Sequence, residues 1–157
     1  MGLQAHVHGS IRLGEHELVG RSVRKILDAG VGFIPEDRQV DGLVGEFTIA
    51  ENLMLNRSHG KPFVSAGTVR TGFLEDFAQQ KLTEYDVRAS GIQARASQLS
   101  GGNQQKVVVA RELSRDLNLL VAAQPTRGVD VGSIEFIHKQ VVATRDAGVP
   151  VLLVSTE

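Results

Sequence analysis

Residues 117–122, six mostly apolar positions between Asp116 and the Pro125 turn, follow one amphipathic run and precede another. A strand so short and so apolar is buried on both faces, the usual setting of a parallel sheet. Residues 31–34 (Val-Gly-Phe-Ile) and 149–154 have the same character. Each follows a helical pattern closed by glycine: residues 22–29 end at Gly30, and residues 133–146, with Ile134, Ile137 and Val141 facing inward, end at Gly148. The alternation predicts an α/β fold with a mostly parallel sheet. At 157 residues the chain is long enough for one domain with a real core, or one domain with a small subdomain inserted.

The chemistry concentrates in Leu99-Ser100-Gly101-Gly102-Asn103-Gln104-Gln105-Lys106. Ser100 is a favoured N-cap, and the run to Arg115 places Val107, Ala110 and Leu113 on one helical face while Lys106, Arg111 and Glu112 stay in water. Two glycines at the first turn leave backbone N–H groups uncovered, and the helix dipole adds about half a positive charge there. Such a start suits an anion, a phosphate in particular. By itself, Ser-Gly-Gly is also an ordinary loop before a helix.

Bulk properties exclude much. A net charge of −1 recruits neither nucleic acid nor an anionic membrane surface, so any phosphate site is local. There is no cysteine, hence no disulfide and no thiol chemistry. No apolar run approaches the roughly 20 residues that cross a bilayer. His6, His8 and His16 lack companions at ligand spacing, and no metal site is expected from them.

Along the chain, residues 7–13 and 16–19 read as a hairpin turning at Gly14-Glu15. Pro35-Glu36-Asp37-Arg38 brings charge abruptly after the 31–34 strand, as a polar turn would. Thr48-Ile49-Ala50-Glu51 is a capping box whose helix continues to Asn56. Residues 57–68 read as loop, and residues 69–85 as a helix with Phe73, Phe77 and Leu82 on its core face.

Taken together, LSGGNQQK resembles the signature motif of ABC transporter ATPases, and its NQQK ending is similar to that of ATP-binding proteins of bacterial simple-sugar and nucleoside importers. The resemblance implies a partial P-loop NTPase nucleotide-binding domain with an inserted α-helical subdomain. Residues 1–44 would hold the hairpin and Q-loop part of the core and residues 45–98 the helical subdomain. Residues 99–157 would hold the signature helix, the Walker B end, the D-loop and the last strand. GFIPEDRQVDGLV resembles the Q-loop variant of this group, with Glu36 in the glutamine's place and Gln39 a weaker candidate. FTIAENLMLN, with the PF pair and long helix after it, resembles the nucleoside-type helical subdomain, the surface such proteins turn toward a permease.

Residues 123–130 resemble the Walker B end and D-loop, but Ala123 and Gln124 stand where aspartate and glutamate are expected. Thr156 stands where most of the family has histidine, while Asp130 of the D-loop is kept. No GxxxxGK[ST] occurs, so the cradle for the α- and β-phosphates is missing. Met1-Gly2-Leu3 resembles the tail of the helix that follows that motif. The resemblance therefore implies part of a second, degenerate nucleotide-binding domain with no intact catalytic group. Its Ser100, Gly101, Gly102 and Gln104 would contact the γ-phosphate of ATP, with Mg2+, held mainly by a competent partner domain. Permease subunits and, indirectly, a substrate-binding protein are the other implied partners, with no nucleic acid. The implied location is the inner face of the cell membrane, reached through the permease. The alternative is an interaction module that binds a permease or partner ATPase without any nucleotide role.

Overall fold

The computed structural model describes residues 7–156. The expectations for Met1-Gly2-Leu3 and for His6 lie outside them. Three parallel strands carry the architecture: β3 (Val31–Ile34), β6 (Leu119–Ala123) and β7 (Val151–Val154), with β6 in the centre. Val31 pairs with Leu119 and Ile34 with Ala122, while Leu120 pairs with Val151 and Ala123 with Val154. The predicted parallel sheet is therefore present, with strand limits set by backbone chemistry. Asn118 spends its N–H on the carbonyl of Gly30 and its amide on that of Ala29, which delays β6. Pro150 has no N–H to give the ladder, so β7 starts after it, although its carbonyl accepts from Leu120.

The opening hairpin is shorter than the sequence pattern predicts, β1 (Arg12–Leu13) against β2 (His16–Glu17). The Glu17 carboxylate accepts from the Ile11 and Val19 N–H groups at 3.0 and 2.9 Å, taking donors that a longer ladder would use. After it, α1 (Val23–Asp28) is capped by Ser22 and leads into β3.

Between β3 and the next long helix lies the helical part of the chain. A π turn, Arg38–Gly42, follows β3, with the Asp37 carboxylate capping the N–H groups of Gln39 and Val40. Then comes α2 (Ile49–Met54), whose Thr48–Glu51 capping box forms as the sequence predicts. Residues 57–68 are not plain loop: β4 (Val64–Ser65) and β5 (Thr68–Val69) form a small hairpin, which moves the start of α3 to Thr71 (Thr71–Glu84). Phe63 enters the core there, fully buried, edge-on to Phe73 and Phe77 at 5.5 and 5.0 Å, with the Arg57 guanidinium 4.7 Å from its ring.

The helix α4 (Gly101–Leu113) runs through the middle of the molecule and packs on β3, α2 and α5 (Val131–Asp146). Its surroundings overturn one sequence expectation. Lys106, Arg111 and Glu112 are 6%, 5% and 1% exposed, not solvated. Each is buried with partners supplied by segments far away in sequence. Lys106 donates to the Asp86 carbonyl and carboxylate, both at 2.8 Å, and lies over the Phe136 ring. Glu112 accepts from the Arg111 and Arg115 guanidinium groups, from Asn56 at 2.6 Å and from the Phe33 N–H. Arg111 in turn donates to the Gly42 carbonyl, and Arg115 to those of Leu27 and Val31. A helix enclosed by other elements on every side has no solvated face, so amphipathic reading fails on it.

Candidate functional site

Three segments converge at the start of α4: the helix start itself, the turn after β3, and the loop between β6 and α5. Ser100 is extended and exposed, and its hydroxyl caps the helix by accepting from the Asn103 N–H. The Asn103 side-chain amide also donates to the Ser100 Oγ, at 2.9 Å, so the hydroxyl is held at the helix start. Asn103 is itself held, accepting from the Arg88 N–H.

The two glycines were expected to clear space for a phosphate, and the structure gives them a second task. A Cβ on Gly101 would stand 2.5 Å from Arg38 Nη2. On Gly102 it would stand 2.2 Å from Ser133 Oγ and 2.4 Å from Asp130 Oδ2. Both positions are filled by this chain's own polar groups, which press against the helix start at distances no side chain would permit.

Gln104, read with the serine and glycines as a phosphate contact, is only 5% exposed. Its amide donates to the Ala96 carbonyl at 3.0 Å and accepts from Gln39 at 3.2 Å, so it braces the helix from inside. Gln105 does the same toward the next loop, donating to the Pro125 carbonyl at 2.7 Å.

Glu36 is exposed and paired with Arg127 across the gap between the two loops. Asp130 is the N-cap of α5, accepting from the Ser133 N–H and hydroxyl at 2.9 and 2.8 Å. The Ser133 hydroxyl, helped by its N–H, holds that carboxyl below the ordinary aspartate range. The Lys106 ammonium does the same for Asp86 by hydrogen bond and charge. Asp86, Ser100, Asn103, Lys106, Asp130 and Ser133 line a polar cavity of about 490 Å³ between the starts of α4 and α5.

Ala123 ends β6 and contributes a methyl group where a carboxylate was expected. Gln124 has a left-handed backbone (φ 48°) and donates through Nε2 to Thr156 Oγ1 at 2.7 Å. The two positions thus meet, as a neutral pair. Among the described residues no three His, Cys, Asp or Glu side chains stand together as a metal cage would require. No helix among them is long and apolar enough to cross a membrane.

Sequence reasoning missed Arg38 and Arg127. Arg38 donates to the carbonyls of Arg127 at 2.9 Å and Gly128 at 3.2 Å, across about ninety residues of chain. The only local signal was the charge cluster at residues 36–38, and a turn reading absorbs it.

Comparison with known proteins identifies the family. The ABC transporter family model matches residues 1–127. The guanosine import ATP-binding protein NupO of Bacillus subtilis is 46% identical over 156 residues, 99% of this chain and 31% of NupO. The nucleoside import ATP-binding protein NupA of Lactococcus lactis is 44% identical with the same coverage, and the ribose import ATP-binding protein RbsA of Shouchella clausii is 35% identical over 97% of this chain and 30% of RbsA. The chain therefore spans about a third of the length of these relatives. Among solved structures, the post-hydrolysis dimer of the ATP-binding cassette MJ0796 bound to ADP and Pi superposes with a TM-score of 0.77 at 21% identity, over 99% of this chain and 66% of that one. The fold is that of an ATP-binding cassette, and the chain belongs to the ABC transporter family.

Proposed function

We propose that this chain acts as part of a nucleotide-binding domain in an importer of simple sugars or nucleosides, presenting its α4 start to ATP held by a competent partner domain. The observation that carries the reading is Ser100: an exposed hydroxyl, fixed by Asn103, at the open end of an otherwise enclosed helix. Ser100 Oγ and the N–H groups of Gly101 and Gly102 are the donors offered to a γ-phosphate, and donors to a charged oxygen are the strong ones. Gln104 holds the helix start from behind. Bound ATP and Mg2+ would supply the transferable phosphoryl group and its charge neutralisation.

Within this reading, residues 1–44 and 99–157 are the core and residues 45–98 the helical subdomain facing the permease. Glu36 occupies the Q-loop position and Asp130 the D-loop position. Ala123 and the Gln124–Thr156 pair provide no group able to take a proton near neutral pH, so turnover is assigned to the partner's site. Attachment to the inner membrane face is through permease subunits, and a substrate-binding protein delivers the cargo.

The test is whether the chain, silent by itself, stimulates ATP hydrolysis by a cassette domain that carries its own phosphate-binding loop. Magnesium-dependent turnover by the purified chain alone would refute the assignment. Binding to permease or partner with no effect of nucleotide would establish the interaction-module alternative instead.

A further inference from the structure

We infer that Arg38 is a positioning residue: its guanidinium locks the 127–130 loop against the helix start at Gly101 and so sets the spacing between Ser100 and Asp130. The fork donates to two successive carbonyls, Arg127 O at 2.9 Å and Gly128 O at 3.2 Å. On its other side it lies against Gly101, where a Cβ would be 2.5 Å from Nη2 and 3.3 Å from Gly128 O. The guanidinium is thus a wedge between loop and helix, in a notch that exists because residue 101 has no side chain.

The arm that holds this wedge is itself anchored. Asp37 caps the turn and the adjacent Gln39 grips α4 through Gln104, contacts that offset the cost of Arg38 Nε, which is buried without an acceptor among the described residues. A cation beside a helix N-terminus is electrostatically disfavoured. The two carbonyl oxygens, with their partial negative charge, accept from it and offset that cost, so the guanidinium and the loop stay in place together. Glu36 pairing with Arg127 adds a second, solvent-exposed tie between the same segments. Asp130 lies two residues beyond Gly128 and fills the neighbouring notch above Gly102. Arg38 and Asp130 therefore seat the loop on the two glycines side by side.

Arginine is required for its shape. A lysine ammonium carries the charge but cannot fork two carbonyls set side by side. The inference rests on the proposed role of Ser100 only in its consequence for turnover, and the tie itself is measurable separately.

Because the chain contains no cysteine, Val40→Cys and Val131→Cys, at exposed positions on either side of the tie, give two spin-label sites in the otherwise intact protein. Arg38→Ala is expected to widen the label-to-label distance distribution by about twofold, and Arg38→Lys to widen it equally, since the fork is lost in both. In the partner assay both variants should lower kcat by about tenfold with little change in KM for ATP, as expected when a group is misplaced and not removed. If Arg38→Ala fails to fold, Arg38→Lys alone carries the test. An unchanged width in either folded variant, or a lysine that restores the parent width, overturns the inference. So does a widened distribution with unchanged kcat. Failure of the proposed function is distinct: the parent chain then gives no stimulation, while the label distance still responds to Arg38.

Discussion

Replacing Glu112 with alanine should be among the most damaging single changes available in this chain. The carboxylate is 1% exposed and accepts from four donors: Arg111 Nε at 2.9 Å, Arg115 Nη1 at 3.3 Å, Asn56 Nδ2 at 2.6 Å and Phe33 N at 3.2 Å. Alanine removes the carboxylate that pairs with the buried Arg111 and Arg115 guanidinium groups, and breaking a buried pair from one side costs about 3–5 kcal/mol. Arg111 and Arg115 keep their carbonyl partners at Gly42, Leu27 and Val31, which holds the loss within that range and prevents a sum over all four donors. Against a typical domain stability of about 5–15 kcal/mol this is about a fifth or more of the total. At about 2–4 °C per kcal/mol for a domain of this size, the melting temperature falls by about 6–20 °C. Glu112→Gln keeps the shape but turns one oxygen into a donor facing donors, and about 1–3 kcal/mol is expected. Urea unfolding followed by circular dichroism reads both, with the slope unchanged. A loss under about 1 kcal/mol for Glu112→Ala, the size expected of a solvated surface pair, would refute the buried-network description.

Two further outcomes follow from the same packing logic. Phe63→Ala empties a fully buried aromatic site between Phe73, Phe77 and Arg57, and should cost about 3–5 kcal/mol in the same unfolding assay; a loss below about 1 kcal/mol would mean that the 57–69 segment is not part of the core. Glu17 should titrate at about 2, lowered first by the Ser10 hydroxyl and then by the Val19 and Ile11 N–H groups. Because the folded value lies below the ordinary 4.5, its contribution to hairpin stability is complete above pH 4.5 and is lost as pH falls toward 2. A carboxyl NMR titration with a midpoint near 4.5 would contradict this.

What the sequence discloses here is what short-range rules encode. The Thr48–Glu51 capping box, the Ser100 cap and the apolar runs that became β3, β6 and β7 depend on neighbours within a few positions, and all are found where the pattern predicts, within one or two residues at most ends. The helix before β7 begins two residues early because Asp130, read only as a D-loop residue, is also its N-cap.

Phe63 was hidden because its partners come from a later helix and its own segment is rich in Gly, Ser and Pro. The burial of Arg111 and Glu112 was hidden because a charged residue looks solvated until Phe33, Gly42 and Asn56 are brought to it. Arg38 illustrates the same limit at the candidate site. Its acceptors lie 89 and 90 residues away, and they are backbone carbonyls, which carry no side-chain code. The glycines were read for what they leave open, while the structure shows what presses against them. For that reason Gly101→Asp, natural as a phosphate-blocking substitution, would also set a carboxylate against Arg38 and perturb the wedge.

Ser100→Arg avoids that ambiguity and tests the central claim most directly. Ser100 is exposed, and losing its cap costs only about 1 kcal/mol, so the variant should fold with an unchanged circular dichroism spectrum. The measurement is ATP turnover by a competent partner cassette in the presence of the parent protein and of Ser100→Arg. If the helix start of α4 serves ATP in trans, stimulation by the variant is abolished, because the side chain fills the space the phosphate needs. Full stimulation by a folded Ser100→Arg protein would contradict the account.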